Sequence, residues 1–172
     1  DAFYNRVYGT AGVFAKMRYS YSRIQAVTEK LSAYLSVSGQ LASKNMDSSE
    51  QLYLGGPASV RAYNSGQGGS SQGNLTTFEL RQQLPFQTQI AGFYDMGNVQ
   101  TWKFNNPLYS SVNNYILQGY GASFGWTGPA NLSIRAIWAQ RTGQLTQAVA
   151  NYLSQNGGTS TNRFWITAAL PF

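Results

Sequence analysis

Hydrophobic and polar residues alternate with a period of two along most of this chain. In residues 30–43, Leu31 and Leu35 stand at odd positions, while the even positions from 32 to 38 carry serine or tyrosine. A period of two places successive side chains on opposite faces of the backbone and indicates a strand rather than a helix. The same pattern predicts seven strands, at residues 12–25, 30–43, 74–84, 87–98, 115–127, 131–141 and 162–172.

The connections between these strands alternate between short and long. The short ones are 26–29, 85–86 and 128–130, and the long ones are 44–73, 99–114 and 142–161. Strands of about ten residues joined in this way are typical of an outer-membrane β-barrel. The sequence therefore predicts an all-β fold, an antiparallel transmembrane β-barrel. Small bacterial barrels have an even number of strands, so residues 1–172 are expected to be the C-terminal part of one larger barrel domain.

Charge and composition favour a membrane barrel over a soluble fold. Only 10% of the 172 residues are charged, against roughly 25% in an ordinary soluble domain. In a soluble sandwich, whose strands also alternate, the outer faces would carry many Lys and Glu residues. Here nearly all the charges of the strands fall on the face that would line the lumen, as Lys16, Arg18, Glu79, Arg81, Asp95 and Arg135 do.

The sequence offers little for catalysis or metal binding. It contains no His and no Cys, which removes the commonest general base and the thiolate ligands of metal sites. Glu79, Arg81 and Arg135 are interpreted as a lumen charge network, because no nucleophile–base pair accompanies them. The net charge of +6 is scattered without a basic run, so a nucleic-acid partner is not expected. We therefore expect no enzymatic activity, no cofactor and no metal site.

The long connection at about 44–73 contains a segment with a distinctive pattern, QLYLGGPASVRAY at 51–63. Its Gly55, Gly56 and Pro57 predict a turn, and Arg61 is its single charged residue. The second half of the connection, from position 64, is rich in Gly and Ser and predicts a flexible chain.

Several further segments follow in a fixed order, and together they resemble a known family. They are NLTTFELRQQLP at 74–85, GFYDMGNV at 92–99, GYGASFGWTGPANLSIRAIWA at 119–139 and the terminal Phe172. With LYLGGPASVRAY at 52–63, this set resembles the two-partner secretion translocators, outer-membrane transporters that export haemolysins and filamentous adhesins. The resemblance covers nearly the whole chain and is strongest from 51 to 141.

The resemblance implies a sixteen-stranded barrel, with a plug helix and two POTRA domains upstream, of which this chain supplies about seven strands. It also implies that the loop at 44–73 folds back into the barrel. Its motif residues would be Gly55, Gly56, Pro57, Val60, Arg61, Ala62 and Tyr63.

Arg61 would contact Asp95 of the Phe-x-Asp motif that begins at Phe93. Strand parity supports the pair, because it places Asp95 on the lumen face, and a planar guanidinium matches a carboxylate with two hydrogen bonds. Where the family has Gly after this Arg, the present chain has Ala62. If that position requires a positive φ, Ala costs on the order of 1 kcal/mol.

The function implied by the resemblance is export of an unfolded partner polypeptide across the outer membrane of a Gram-negative bacterium. Its partners would be a secreted haemolysin or filamentous-adhesin type protein, outer-membrane lipid and the barrel-assembly machinery, which would recognise Phe172 as an assembly signal. Three alternatives remain open: an insertase of the same superfamily that assembles other barrels, a general diffusion porin, and a soluble carbohydrate-binding sandwich.

Overall fold

A computed structural model of the chain describes residues 8–105, 112–155 and 157–171. The elements are β1 Lys16–Ala26, β2 Leu31–Ala42, β3 Leu52–Tyr53, β4 Gly69–Ser70, β5 Gln72–Leu84, β6 Thr88–Gln100, β7 Asn114–Thr127, β8 Ser133–Thr142, α1 Gln147–Gln155 and β9 Asn162–Ala169. Seven strands form one antiparallel sheet in the order β1-β2-β5-β6-β7-β8-β9, and β3 pairs with β4 in a separate two-stranded sheet. The seven predicted strands are confirmed. No helix of the described residues is long and apolar enough to cross a membrane.

The sheet presents two faces of different character. One carries apolar side chains that are about 40% exposed or more, among them Leu35, Phe78, Leu80, Ile90, Tyr94, Ile116, Phe124, Phe164 and Ile166. We call this the outer face. Pairing aligns these residues across the strands, since Phe78 lies opposite Tyr94 and Ile90 lies opposite Phe124. Such a continuous apolar surface suits contact with lipid rather than water.

The other face, the inner face, is covered by the connection between β2 and β5. We call residues 44–71 of this connection the inward loop. Its buried side chains pack with residues of β6, β7, β8 and α1 in one apolar cluster, whose members include Leu54, Val60, Ala62, Tyr63, Phe93, Leu117, Ile137, Ala139, Val149 and Leu153. The hydrophobic core therefore lies on the side predicted to be the lumen, where the loop and the strands meet.

The connection at 142–161, predicted as a loop, contains the helix α1. Thr146 immediately precedes the helix, and its backbone carbonyl accepts a hydrogen bond from the N–H of Ala150 at 2.9 Å. Val149 and Leu153 are one turn apart and bury their side chains against the inward loop. The apolar stripe spans little more than one turn, so it is too short to stand out from the surrounding polar sequence. Contact with the inward loop stabilises this helix.

Two of the short turns use left-handed backbone without glycine. Phe86 and Gln87 have φ values of 60° and 55°, and Ala130 and Asn131 have values of 54° and 58°. Two consecutive positive φ values are the geometry of turns that join antiparallel strands with the correct twist. These turns lie at the end of the sheet opposite the inward loop.

Candidate functional site

The inward loop reverses direction at the glycine pair predicted to form a turn. The N–H of Ser59 donates to the carbonyl of Gly56 at 3.1 Å, and the N–H of Gly56 donates to the carbonyl of Tyr63 at 2.9 Å. Gly56 has a φ of 118°, a conformation that side chains disfavour. At Gly55, a Cβ atom would lie 2.1 Å from the carbonyl oxygen of Asn64. Both glycines are thus required by the turn that presents Arg61 to the inner face.

Arg61 of the inward loop and Asp95 of β6 are in direct contact on the inner face. The guanidinium donates from Nε to Asp95 Oδ2 and from Nη2 to Asp95 Oδ1, each at 2.8 Å, and the Arg61 backbone N–H donates to Oδ2 at 3.1 Å. Thr77 adds a hydroxyl donor to Oδ1 at 3.0 Å. The Arg61 side chain is 4% exposed and that of Asp95 is fully buried. The carboxylate therefore receives four donors, three of which come from one loop residue.

The predicted charge network of Glu79, Arg81 and Arg135 joins this pair instead of standing apart from it. Glu79 accepts from Arg61 Nη1 at 2.6 Å and from Arg81 Nε at 2.7 Å. Arg135 lies farther away, with its Nη2 atom 3.8 Å from Glu79, and its side chain is 47% exposed. We call Arg61, Glu79, Arg81 and Asp95 the ion cluster. Arg61 is its centre, because it bonds to both carboxylates.

Neutral groups complete the surroundings of Arg61. The Phe93 ring lies under the guanidinium, with 3.3 Å between the Arg61 Cζ atom and the ring centroid. The indole Nε1 of Trp165 donates to the Arg61 carbonyl at 2.8 Å. Burial lowers the pKa of Arg61, but Asp95 and Glu79 together raise it by more, so the pKa lies above its usual value. The guanidinium is therefore permanently charged and fixed by partners on all sides.

Ala62 carries no backbone strain. It is not among the described residues with positive φ, so the cost considered for an Ala at this position does not arise. The methyl group is fully buried and faces Gly119 on β7, where an added Cβ atom would lie 2.5 Å from the Cβ of Ala62. The glycine in the wall thus makes room for the alanine in the loop.

A second group of contacts holds the stem of the inward loop, and the sequence did not predict it. The side chain of Gln67 donates to the Leu153 carbonyl of α1 at 2.7 Å and accepts from Arg141 Nη2 at 2.9 Å. Arg141 also donates to the Ala62 carbonyl at 3.2 Å. Asn64 donates to the carbonyl of Gly157. We call Asn64, Gln67 and Arg141 the outer anchor.

One signal for the outer anchor was present in the sequence. Arg141 lies on the same face of β8 as Arg135, six positions farther along, so parity alone assigns it to the inner face. Gln67 gave no such signal. It lies in the Gly- and Ser-rich half of the loop that was expected to be flexible, yet Gln67, Ser70 and Ser71 are all at most 1% exposed. That expectation was wrong because small residues here permit close packing of backbone against the wall.

Val60 and Tyr63 are fully buried in the apolar cluster, and Pro57 is half-buried at the loop tip. Phe172 lies outside the described residues. No three His, Cys, Asp or Glu side chains of the described ranges converge as a metal site. A polar cavity of about 230 Å³ lies beside the loop tip and the ion cluster, lined among others by Ser36, Ser38, Arg81 and Arg135.

Comparison with known proteins gives a family match for most of the chain. The model of the Omp85 superfamily domain matches residues 2–152. The heme/hemopexin transporter proteins HuxB of Haemophilus influenzae strains 86-028NP and ATCC 51907 are each 26% identical over 165 residues. Each alignment covers 92% of this chain but 27% of the relative, so the chain spans about a quarter of the length of these curated relatives.

A solved structure shows the same fold. CdiB from Acinetobacter baumannii matches with a TM-score of 0.59 and 18% identity, over 90% of this chain and 26% of that chain. The likeness confirms the predicted all-β barrel architecture, with the present strands forming part of a barrel.

Proposed function

Because this chain belongs to the Omp85 superfamily, we propose that it forms part of the channel of a two-partner secretion translocator. The observation that carries the proposal is the inward loop with Arg61 bound to Asp95 and Glu79 on the inner face. The segments at 52–63 and 92–99 that resemble this family supply the loop residue and one of its partners. The HuxB relatives bear the name of transporters.

The protein lies in the outer membrane of a Gram-negative bacterium, as superfamily membership indicates. Its exported substrate would be an unfolded partner polypeptide of the haemolysin or adhesin type. Polar side chains of the inner face, such as Ser36 and Ser38, offer the moving chain weak contacts. The inward loop would prop or gate the channel, and folding of the partner outside would drive export without ATP.

The channel has no catalytic role in this proposal, and no cofactor takes part. Lipid would contact the outer face, where the exposed apolar side chains lie. The barrel-assembly machinery would insert the protein, with Phe172 as the assembly signal.

Export by the full-length protein tests the proposal. Cells that lack the protein should fail to release the partner into the medium, while their other outer-membrane barrels assemble at normal levels. Arg61→Ala in the full-length protein should reduce release of the partner. The matched control is Arg23→Ala, which removes an exposed Arg that bonds to Gln25 on β1 and lies outside the ion cluster.

Two results would contradict the proposal. Depletion of other barrels when the protein is absent would instead indicate an insertase of the same superfamily. Normal release of the partner, together with loss of small-solute uptake, would indicate a diffusion porin.

A further inference from the structure

We propose that Gln67 and Arg141 are positioning residues that make the position of the inward loop on the inner face depend on the helix α1. The ion cluster holds the loop near its tip, whereas the outer anchor holds its stem. The position of the loop would then depend on the connection at 142–161 as well as on Asp95 and Glu79. A displacement of α1 would free the loop from one of its two attachments.

Gln67 lies at the centre of this attachment because its one amide group serves four partners, of which the Gly158 carbonyl is the most distant at 3.5 Å from Nε2. Its Oε1 atom accepts from the backbone N–H of Asn64 at 2.9 Å and from Arg141 Nη2 at 2.9 Å, while Nε2 donates to the Leu153 carbonyl at 2.7 Å. The residue is 1% exposed. A buried amide with its groups paired in this way leaves unpaired partners in three elements when it is removed.

Arg141 of β8 contacts the inward loop at two places, Gln67 and Ala62. Its guanidinium donates to Gln67 and to the Ala62 carbonyl, and it lies over the Tyr63 ring with 4.4 Å from Cζ to the centroid. Ala62 directly follows Arg61 in the chain, so Arg141 fixes the backbone beside the ion cluster. Trp165 adds a bond to the Arg61 carbonyl from β9.

The helix side of the attachment is equally well defined. Val149 and Leu153 of α1 are buried in the same apolar cluster as Leu54, Val60 and Tyr63 of the loop. Asn64 bonds to the carbonyl of Gly157, just beyond the helix. Polar and apolar contacts thus join the same two segments, the inward loop and the connection that contains α1.

Alkylation of a cysteine at position 60 in the full-length protein measures directly how often the inward loop leaves its packed position. The chain has no cysteine, and Val60 is fully buried, so a Val60→Cys thiol reacts with a maleimide only when the loop leaves its place. Modification at residue 60 is followed over time by mass spectrometry of peptides. The folded-barrel band on unheated gels shows that each variant has assembled.

Gln67→Leu and Arg141→Gln should each raise the alkylation rate about tenfold, the effect of unpairing a buried polar group. Replacing residues 146–157 with a short Gly-Ser linker should raise it by a similar factor. Adding Gln67→Leu to the linker variant should then give less than the product of the two factors, because both changes break the same attachment. Arg23→Gln, which makes the same charge change on β1, should leave the rate unaltered.

An unchanged alkylation rate in the linker variant would overturn the proposal. A combined variant whose rate increase equals the product of the two single increases would overturn it too, because the helix and Gln67 would then act independently. The role of the anchor in export rests on the proposed function, but its role in seating the loop does not. Faster alkylation combined with normal release of the partner would therefore support the anchor and contradict the proposed part of the loop in export.

Discussion

The inward loop is attached near its tip and along its stem by two different kinds of contact. In the ion cluster, the Arg61 charge is neutralised by two carboxylates whose side chains are at most 4% exposed. In the outer anchor, the acceptors are the Gln67 amide oxygen and backbone carbonyls, such as those of Leu153 and Ala62. The tip is thus held by opposite charges and the stem mostly by neutral acceptors.

The two attachments should therefore respond differently to the loss of one residue. A buried charge without its partner is far less stable than a buried pair, so the members of the ion cluster depend on one another. An unpaired amide or carbonyl costs less free energy than an unpaired charge, and several such hydrogen bonds hold the stem, so the loss of one leaves the others in place. We therefore expect single substitutions to have their largest effect in the ion cluster.

Asp95→Ala should produce the largest effect of the changes considered. It removes three hydrogen bonds to Arg61 and leaves the guanidinium with Glu79 as its remaining carboxylate partner. Loss of one partner from a buried ion pair costs about 3–5 kcal/mol. The seated state of the loop should be weakened by that amount, as measured from alkylation of Val60→Cys in the full-length protein.

The double variant Arg61→Ala, Asp95→Ala provides the control. Because neither charge is then left unpaired against the other, its effect should be well below the sum of the two single effects. Additive effects would show that the two residues act independently. A smaller effect for Asp95→Ala than for Gln67→Leu would reverse the proposed order of the two attachments.

The strands and the turn of the loop could be predicted from sequence because local patterns determine them. Parity assigns Asp95 and Glu79 to the inner face, and the pair Gly55-Gly56 marks the turn before Arg61. Pairing of Arg61 with Asp95 needed the family resemblance in addition, since strand parity states only which face a residue occupies. The bond from Arg61 to Glu79 was missed because nothing in the sequence measures the reach of the guanidinium.

The outer anchor and α1 could not be predicted for a related reason. Apart from the bond between Arg141 and Gln67, their side chains donate to backbone carbonyls, which every residue has, so side-chain identity does not reveal these partners. The fit of Ala62 against Gly119 is likewise a contact between the inward loop and β7, which are far apart in the sequence. It becomes visible only when the register of β7 and the path of the loop are both known.

Gly119→Ala should have the next largest effect, and it acts on the wall between the two attachments. The added Cβ atom would lie 2.5 Å from Ala62 Cβ and 3.0 Å from the Gln140 carbonyl oxygen. Overpacking of this kind costs about 1–3 kcal/mol, so alkylation at position 60 should accelerate. Addition of Ala62→Gly should restore part of the original rate, because it removes the closer of the two contacts.

Gly92→Ala is the matched control for that change. Gly92 lies on the outer face of β6, and a Cβ atom there would meet nothing within 4 Å. The loop should keep its wild-type protection in this variant. Acceleration by Gly92→Ala equal to that of Gly119→Ala would mean that glycine in the strands, rather than the fit to Ala62, controls the loop.

Arg135→Gln should have the smallest effect and marks the boundary of the ion cluster. Its nearest carboxylate atom is 3.8 Å away and its side chain is 47% exposed, so water screens the pair and its contribution is about 0–1 kcal/mol. Glu79 keeps its closer bonds to Arg61 and Arg81. Alkylation at position 60 should therefore stay within about fivefold of wild type, the factor that corresponds to roughly 1 kcal/mol. A larger acceleration in Arg135→Gln would contradict this expectation. If the difference from wild type then disappeared at high salt, Arg135 on β8 would belong to the ion cluster, because salt weakens exposed charge pairs.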